Sequence, residues 1–249
     1  MSFQLSVSPD FSPDHIAGWY VFNTWLQRRL GIRMHVELHD SFPQHHAALA
    51  AGQIDLVFAS PSSAKALVRE QGYTALAAPI NRPDEAVIAV LDSATSRRIE
   101  DLQPGCRLAQ TSDPDVGLIA RMMLEPADLH AGNVQVVPAG SYVLVAKQLI
   151  TGKADAGIFL ARAFDELGAA VKRQLRPLAR SEIGVLRHML LAGPRLAEHH
   201  AALRDLICAM HLPGSDGARA LEALGLPGFE DQDAESVEFM IDMVQTLMA

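Results

Sequence analysis

GQIDLVFASPSSAKALVRE, residues 52–70, reads as a buried strand that runs directly into a helix. Its first part is apolar apart from one aspartate, which is typical of a strand covered on both faces, as in a parallel sheet. Ser60 stands at the expected N-cap, and Pro61 takes the first helical position, where its missing N–H costs nothing. With Ser62 and Ser63 in the first turn, the helix start presents N–H groups fringed with hydroxyls. Such a helix start favours an anion or a carbonyl oxygen, and a purely structural cap is the alternative.

The chain repeats itself at an offset of about 100 residues. The matching pairs are Asp40-Ser41-Phe42 with Gly140-Ser141-Tyr142, Leu49 with Leu149, Gly52 with Gly152, and Asp55 with Asp155. A strand, helix, strand, helix, strand unit is therefore expected twice, over residues 3–59 and 106–159. A repeat of this length predicts two similar lobes rather than a solenoid, whose repeats are shorter and more numerous.

Strands alternate with helices along each copy, which predicts right-handed parallel crossovers and an α/β fold. An extended run at residues 183–192 is expected to return the chain to the first lobe, so that the C-terminal helices belong there. The predicted boundaries are residues 1–88 and 190–249 for lobe 1, and residues 89–189 for lobe 2. The chain would then cross between the lobes twice and form a two-segment hinge.

Composition narrows the class of protein. The 249 residues are 49% hydrophobic, so the chain can bury a substantial core. A net charge of −8, scattered basic residues and 6% aromatic content argue against a nucleic-acid surface. No apolar run is long enough for a membrane span. The first residues, MSFQLSVSP, lack the features of a secretory leader, which indicates a cytoplasmic protein, or a periplasmic one if a leader was removed.

No metal, cofactor or catalytic residue is predicted. His35, Glu37 and His39 share one face of a predicted strand and are the best local metal candidate, but no fourth ligand is evident. Two adjacent pairs, His45-His46 and His199-His200, lie on predicted helices, where neighbouring side chains point about 100° apart and do not chelate one ion. The sequence contains no nucleophile elbow, phosphate-binding loop or zinc-protease helix motif. Cys106 and Cys208 are expected to be unrelated thiols.

Four segments, taken in order, resemble the phosphate, phosphite and phosphonate substrate-binding proteins of ABC transporters, which have the type II periplasmic-binding-protein fold. The segments are SPDFSPDH after the first strand, GQIDLVFASPSS, RPDEAVIAV and GKADAGIF. The resemblance covers nearly the whole chain. It implies two Rossmann-like lobes that clamp a small polar or oxyanionic ligand. The protein would serve an ABC permease or, as a sensor, a signalling protein.

The resemblance also implies which residues contact the ligand: the loop after the first strand, the third helix start and two helix starts in the second lobe. The corresponding positions here are Phe11, Ser12, Ser60, Ser62, Ser63, Thr111, Ser112, Asp113 and Tyr142, with Phe159 as a further apolar wall. Helix N-termini at the ends of parallel strands make an oxyanion site on physical grounds as well.

The sequence departs from this family pattern at Asp113-Pro114-Asp115. At the start of the same helix, relatives that bind phosphonates have a loop rich in serine and threonine. Two carboxylates there would oppose a dianion. We expect Asp113 to be the N-cap of its helix, accepting from the amides of Asp115 and Val116. If Asp113 instead faced the ligand, an amine or several hydroxyls would fit better.

Two alternative functions follow from the same residues. One is a cytosolic enzyme that resembles the leaderless menaquinone-pathway lyases, for which a cleft-facing Asp113 or Asp10 with a raised pKa would speak. An Asp113 that only caps its helix would favour binding. The other is an interaction module built on the amphipathic C-terminal helix, which we expect to pack on a lobe.

Overall fold

The computed structural model describes residues 2–11 and 15–248, and the side chains of all of these but residue 248. The strands are β1 (Ser2–Val7), β2 (Arg33–Leu38), β3 (Leu56–Ala59), β4 (Thr74–Pro79), β5 (Ala86–Leu91), β6 (Arg107–Gln110), β7 (Gln135–Pro138), β8 (Ala156–Leu160), β9 (Leu175–Arg180), β10 (Met189–Ala192) and β11 (Phe229–Asp231). The helices are α1 (Ile16–Leu30), α2 (Phe42–Ala50), α3 (Pro61–Lys65, continued by a π-helix at Ala66–Glu70), α4 (Pro114–Leu124), α5 (Tyr142–Ile150), α6 (Ala161–Asp165), α7 (Ala169–Lys172), α8 (His200–Cys208), α9 (Ala218–Leu224) and α10 (Ala234–Met248). Short 3-10 helices lie at Ile99–Asp101, Glu125–Ala127 and Pro194–His199.

One compact unit is built from the chain up to Arg82 and from Arg187–Thr246. Its sheet has the strand order β11-β4-β10-β3-β1-β2. Strand β1 pairs in parallel with β2 and β3, and β10 runs antiparallel to β3 and β4. The chain returns to this sheet through β10, and the helices that follow lie in the same unit.

Aromatic residues on one face of α1 form much of the core of this unit. Trp19, Phe22 and Trp25 are buried on one side of the helix. Trp19 packs against Phe58 of β3 with ring centroids 4.9 Å apart, and Phe22 lies 6.2 Å from Phe229 of β11. Each such side chain contributes about 1.5–3 kcal/mol by leaving water. These residues are therefore structural, as their helical spacing indicates.

The second compact unit contains Pro83–Leu186. Its sheet has the order β7-β6-β8-β5-β9. Strand β6 pairs in parallel with β7 and β8, as β1 does with β2 and β3 in the first unit. The two copies predicted from the sequence therefore fold in the same way.

The aspartates of the repeat have the same structural role in both units. A side-chain oxygen of Asp55 accepts from the backbone N–H of Gln4 at 2.8 Å, and one of Asp155 accepts from that of Arg107 at 2.8 Å. The backbone N–H of each aspartate donates to the carbonyl of the same partner, at 2.9 Å in both copies. Each aspartate thus fixes the third strand of its copy against the first.

The glycines of the repeat end the preceding helix in both copies. Gly52 and Gly152 have φ of 65° and 68°, a backbone conformation that favours glycine. Their N–H groups donate to the carbonyls of Leu49 and Leu149 at 3.0 Å in each case. The Gly-x-x-Asp pattern is therefore a helix stop followed by a strand anchor.

The boundaries between the two units lie outside the strands, at residues 82/83 and 186/187. The expected boundaries, 88/89 and 189/190, fall inside β5 and β10. Strand β5 pairs only within the second sheet, with β8 and β9, so residues 83–88 belong to the second unit. The extended run expected at residues 183–192 is a strand only over Met189–Ala192.

The C-terminal helix α10 packs on the first unit. Its apolar face is buried through Val237, Met240, Ile241 and Val244. Arg69 donates to Asp242 and to Gln245 at 2.7 Å each, and also pairs with Glu238. The apolar face predicted for this helix is thus covered within the chain. Among the described residues, no helix combines the length and the apolar character needed to cross a membrane.

Candidate functional site

Three serine hydroxyls meet where β3 ends and α3 begins. The Oγ of Ser60 lies 3.2 Å from the Oγ of Ser62 and 3.2 Å from that of Ser63. Ser60 does not cap the helix with its side chain, contrary to the sequence expectation, since its hydroxyl is directed at the two other hydroxyls. Its carbonyl accepts from the N–H of Ser63 at 3.1 Å instead. The sequence correctly placed the three serines together, at the carboxyl end of a parallel strand.

A histidine from α2 extends this serine cluster. The Nε2 of His46 lies 3.2 Å from the Oγ of Ser63. Burial lowers the pKa of His46 below its usual value, which favours the neutral ring. A neutral imidazole carries one donor and one acceptor nitrogen, so it can orient the serine hydroxyl in either direction. Sequence reasoning tested His46 only as a metal ligand and missed this contact.

A buried contact between a histidine and an aspartate lies at the same end of the sheet. The Nε2 of His188 is 3.1 Å from the Oδ1 of Asp10, and the two side chains are 4% and 3% exposed. The ring of His188 also stacks on Phe58, with centroids 5.2 Å apart. Asp10 follows β1, and His188 precedes β10, whose register pairs Met189 with Ala59. Sequence reasoning missed His188, because only that antiparallel register brings it to the end of β3.

Four residues of the first unit have buried side-chain polar atoms without a hydrogen-bond partner among the described residues: the Oδ1 of Asn23, the Nε of Arg204, the hydroxyl of Ser8 and both ring nitrogens of His45. Ser8 is 1% exposed and His45 is fully buried. Burial, together with the nearby imidazoles of His39 and His46, lowers the pKa of His45 to about 4. The ring is therefore neutral near pH 7.

The loop after β1 carries two of the predicted ligand residues. Phe11 is partly buried and packs against the core of the first unit, and its N–H donates to the carbonyl of Ser8 at 3.4 Å. Ser12, the other predicted ligand residue of this loop, lies outside the described residues.

In the second unit, Asp113 is the N-cap of α4, as expected. Its Oδ1 accepts from the N–H of Asp115 at 3.0 Å and from that of Val116 at 3.2 Å. Its Oδ2 accepts from the hydroxyl of Tyr142 at 2.7 Å, a contact that the sequence did not predict. Donors to both oxygens stabilise the charged carboxylate, so its burial at 6% exposure is compensated.

The two residues before Asp113 differ in their surroundings. Thr111 is half-buried, and its hydroxyl accepts from the N–H of Asp113 at 3.4 Å. Ser112 is exposed. Thr111 therefore helps to shape the start of α4, and the hydroxyl of Ser112 faces solvent.

Phe159 is a core residue. It is fully buried, and its ring lies 5.2 Å from that of Phe164 in an edge-to-face contact. The expectation that Phe159 forms an apolar wall is therefore corrected: the fully buried ring supports Tyr142, whose own ring lies 6.4 Å away and is half-buried.

The sequence did not predict an ion pair at the end of β8. An Nη of Arg162 donates to Asp84 at 2.9 Å, and the Asp84 side chain is only 1% exposed. The register of β5 with β8 pairs Ala86 with Leu160, and two residues further on the same register sets Asp84 opposite Arg162. This contact stabilises the start of α6.

No group of three or more His, Cys, Asp or Glu side chains in the described part of the chain has a metal-binding arrangement. The strand candidate resolves into local contacts: His39 lies 3.6 Å from Glu37 and its Nδ1 is 3.3 Å from the hydroxyl of Ser6. Cys106 and Cys208 are both free thiols.

Solved structures with this fold include several binding proteins. The PhnD1 protein of Prochlorococcus marinus, in complex with methylphosphonate, has a TM-score of 0.85 at 13% identity, over 99% of this chain and 98% of its own. A binding protein component of an ABC phosphonate transporter from Pseudomonas aeruginosa has a TM-score of 0.80 at 12% identity, over 99% and 87%. The periplasmic aliphatic sulphonate binding protein SsuA of Escherichia coli has a TM-score of 0.72 at 16% identity, over 99% and 91%. At these identities the likeness shows the fold, which is the two-lobed α/β fold of type II periplasmic binding proteins.

No curated protein sequence matches the chain. The family model described as "ABC transporter, phosphonate, periplasmic substrate-binding protein" matches residues 5–237, which is most of the chain. The order of the four family-like segments, the duplicated lobes and the serine-lined start of α3 agree with this match. The chain therefore belongs to the family of phosphonate substrate-binding proteins of ABC transporters.

Proposed function

We propose that this protein binds a small oxyanion of the phosphonate or sulfonate type, and that each unit contributes its own ligand-binding residues. In the first unit these are Ser60, Ser62 and Ser63 at the start of α3, with Phe11 and Ser12 in the loop after β1. In the second unit they are Thr111, Ser112, Asp113 and Tyr142.

The observation that carries the proposal is the serine cluster at the start of α3. The side chain of Ser60, at the N-cap, does not cap the first turn of α3, and its hydroxyl lies 3.2 Å from each of the hydroxyls of Ser62 and Ser63. Hydroxyls and backbone N–H groups at the end of a parallel strand are donors that suit an oxyanion. Phosphonate and sulfonate groups both present three oxygens to such donors. PhnD1 was solved with methylphosphonate, and SsuA is described as a sulphonate-binding protein, which supports this ligand class.

The geometry of Asp113 favours binding over catalysis. Both its oxygens accept hydrogen bonds, from two helix N–H groups and from Tyr142. Both carboxylate oxygens are thus engaged by groups of the second unit, whereas a general acid or base must be within hydrogen-bond reach of the substrate. We therefore propose that the protein has no catalytic role. By its family, we further propose a periplasmic location and an ABC permease as partner.

Calorimetric titration with methylphosphonate and methanesulfonate tests the proposal. We expect binding of at least one of them, and a loss of about 1–3 kcal/mol in binding free energy for Ser63→Ala, because a buried hydroxyl partner is removed. Ser93→Ala, at an exposed serine of the second unit, is the matched control and should bind as wild type does. Equal affinity of wild type and Ser63→Ala would refute the proposed role of this helix start.

A further inference from the structure

Two of the buried, unpaired side chains of the first unit, Ser8 and His45, call for an additional partner. Ser8 is 1% exposed and His45 is fully buried, yet the hydroxyl of the one and both ring nitrogens of the other have no partner among the described residues. Leaving a buried polar group unpaired costs about 1–3 kcal/mol. Native proteins therefore rarely keep such groups without a use, and a ligand that supplies the missing hydrogen bonds is one reason to keep them.

Each group is linked to the start of α3 through a neighbouring residue. The N–H of Ser8 donates to the carbonyl of Phe58 at 2.9 Å, which holds Ser8 beside the strand that leads to Ser60. The ring centroid of His45 lies 6.2 Å from that of His46, whose Nε2 contacts Ser63. Ser8 thus lies beside the strand that ends at Ser60, and His45 lies next to the histidine that contacts Ser63, one of the serines to which the proposed function assigns the oxyanion.

The charges around His45 determine how an anion would act on it. His39 from β2 has its ring centroid 5.5 Å away, and His46 adjoins it on α2. Asp10 from the loop after β1 and His188 from the segment before β10 also act on its charge, and of these four groups only Asp10 favours protonation. Burial is the larger effect and holds the pKa of His45 near 4. An anion bound beside the ring would oppose both effects and raise that pKa.

We propose that Ser8 and His45 contact the anionic group of the ligand, and that binding is coupled to uptake of one proton from solvent by the His45–His46 pair. A protonated imidazole donates from both nitrogens, whereas a neutral one donates from one. A proton on His45 would therefore turn both of its unpaired nitrogens into donors for an oxyanion. The coupling makes affinity rise as pH falls, by up to about tenfold per pH unit between the pKa values of the bound and free states.

This inference rests on the proposed function. Methanesulfonate tests the two separately, because its charge stays at −1 between pH 5 and pH 8 and any proton taken up on binding must go to the protein. Titrations at pH 7.5 and 5.5, each in two buffers of different ionisation enthalpy, give affinity and proton uptake together. We expect wild type to bind methanesulfonate more tightly at pH 5.5 and to take up protons. His45→Gln and His46→Gln should bind more weakly at pH 5.5 and take up fewer protons.

The exposed histidine His35 provides the matched control, and His35→Gln should behave as wild type does. Methylphosphonate can replace methanesulfonate as the probe if it is the tighter ligand. Its own change in protonation cancels when the proton uptake of wild type is compared with that of His45→Gln. Two results would overturn the inference and leave the proposed function intact. One is binding without proton uptake, and the other is proton uptake by His45→Gln and His46→Gln that equals the uptake by wild type. Absence of binding of either probe would refute the proposed function, and this inference with it.

Discussion

Replacing His45 should remove part of the acid sensitivity of the first unit. The pKa of His45 is about 4 in the folded protein, against 6.5 for an unperturbed histidine. Because the folded pKa is depressed, the unfolded chain binds a proton more readily, and stability is lost as pH falls from 6.5 towards 4. Between pH 7.5 and pH 5.0 this linkage amounts to about 2 kcal/mol of unfolding free energy for the one ring.

His45→Leu tests this magnitude. A leucine fills the site without titrating and without unpaired nitrogens, so the variant should be at least as stable as wild type at pH 7.5. Between pH 7.5 and pH 5.0 it should lose about 2 kcal/mol less than wild type. Urea unfolding followed by tryptophan fluorescence is the assay, since both tryptophans of the chain, Trp19 and Trp25, lie in the first unit.

The matched control is His35→Gln, which should retain the acid sensitivity of wild type because His35 is exposed. Equal losses of stability in wild type and His45→Leu over this pH range would refute the reasoning. They would mean that the ring of His45 is as easily protonated in the folded protein as in the unfolded chain.

Three further outcomes are expected in stability and binding measurements. Asp113→Ala should destabilise the second unit by about 0.5–2 kcal/mol in urea unfolding followed by circular dichroism. Asp113→Asn keeps an oxygen that accepts from the helix N–H groups and should destabilise it less, so equal losses in the two variants would contradict the capping role. Tyr142→Phe removes a hydrogen bond to a carboxylate and should cost about 1–2 kcal/mol in the same assay, and an unchanged midpoint would refute that bond. Asp55→Ala should cost more than Asp155→Ala, because the side chain of Asp55 is 1% exposed and that of Asp155 is 45% exposed; the reverse order would contradict their burial.

Local sequence was sufficient where the cause of a structure is local. The cap at Asp113 depends on two amides of its own helix, and the repeated Gly-x-x-Asp depends on a helix stop and one neighbouring strand. The apolar run before Ser60 predicted the buried strand β3. The duplication then set the parallel order of the strands in both sheets.

Contacts set by antiparallel register were not predictable from the same patterns. Asp10 with His188 and Asp84 with Arg162 are far apart in sequence, and each pair meets only because a strand returns at a particular register. The orientation of the Ser60 hydroxyl was not predictable either. Ser60 occupies the N-cap position that the sequence predicted, but its hydroxyl contacts the hydroxyl of Ser62 instead of a backbone N–H of the helix.

The role of the α3 helix start is tested most directly by a crystal structure of the protein with methylphosphonate. We expect phosphonate oxygens within about 2.5–3.2 Å of the hydroxyls of Ser62 and Ser63 and of first-turn N–H groups of α3. A phosphonate bound elsewhere, with these serines making only the contacts they make without ligand, would contradict the assignment of this helix start as the oxyanion site.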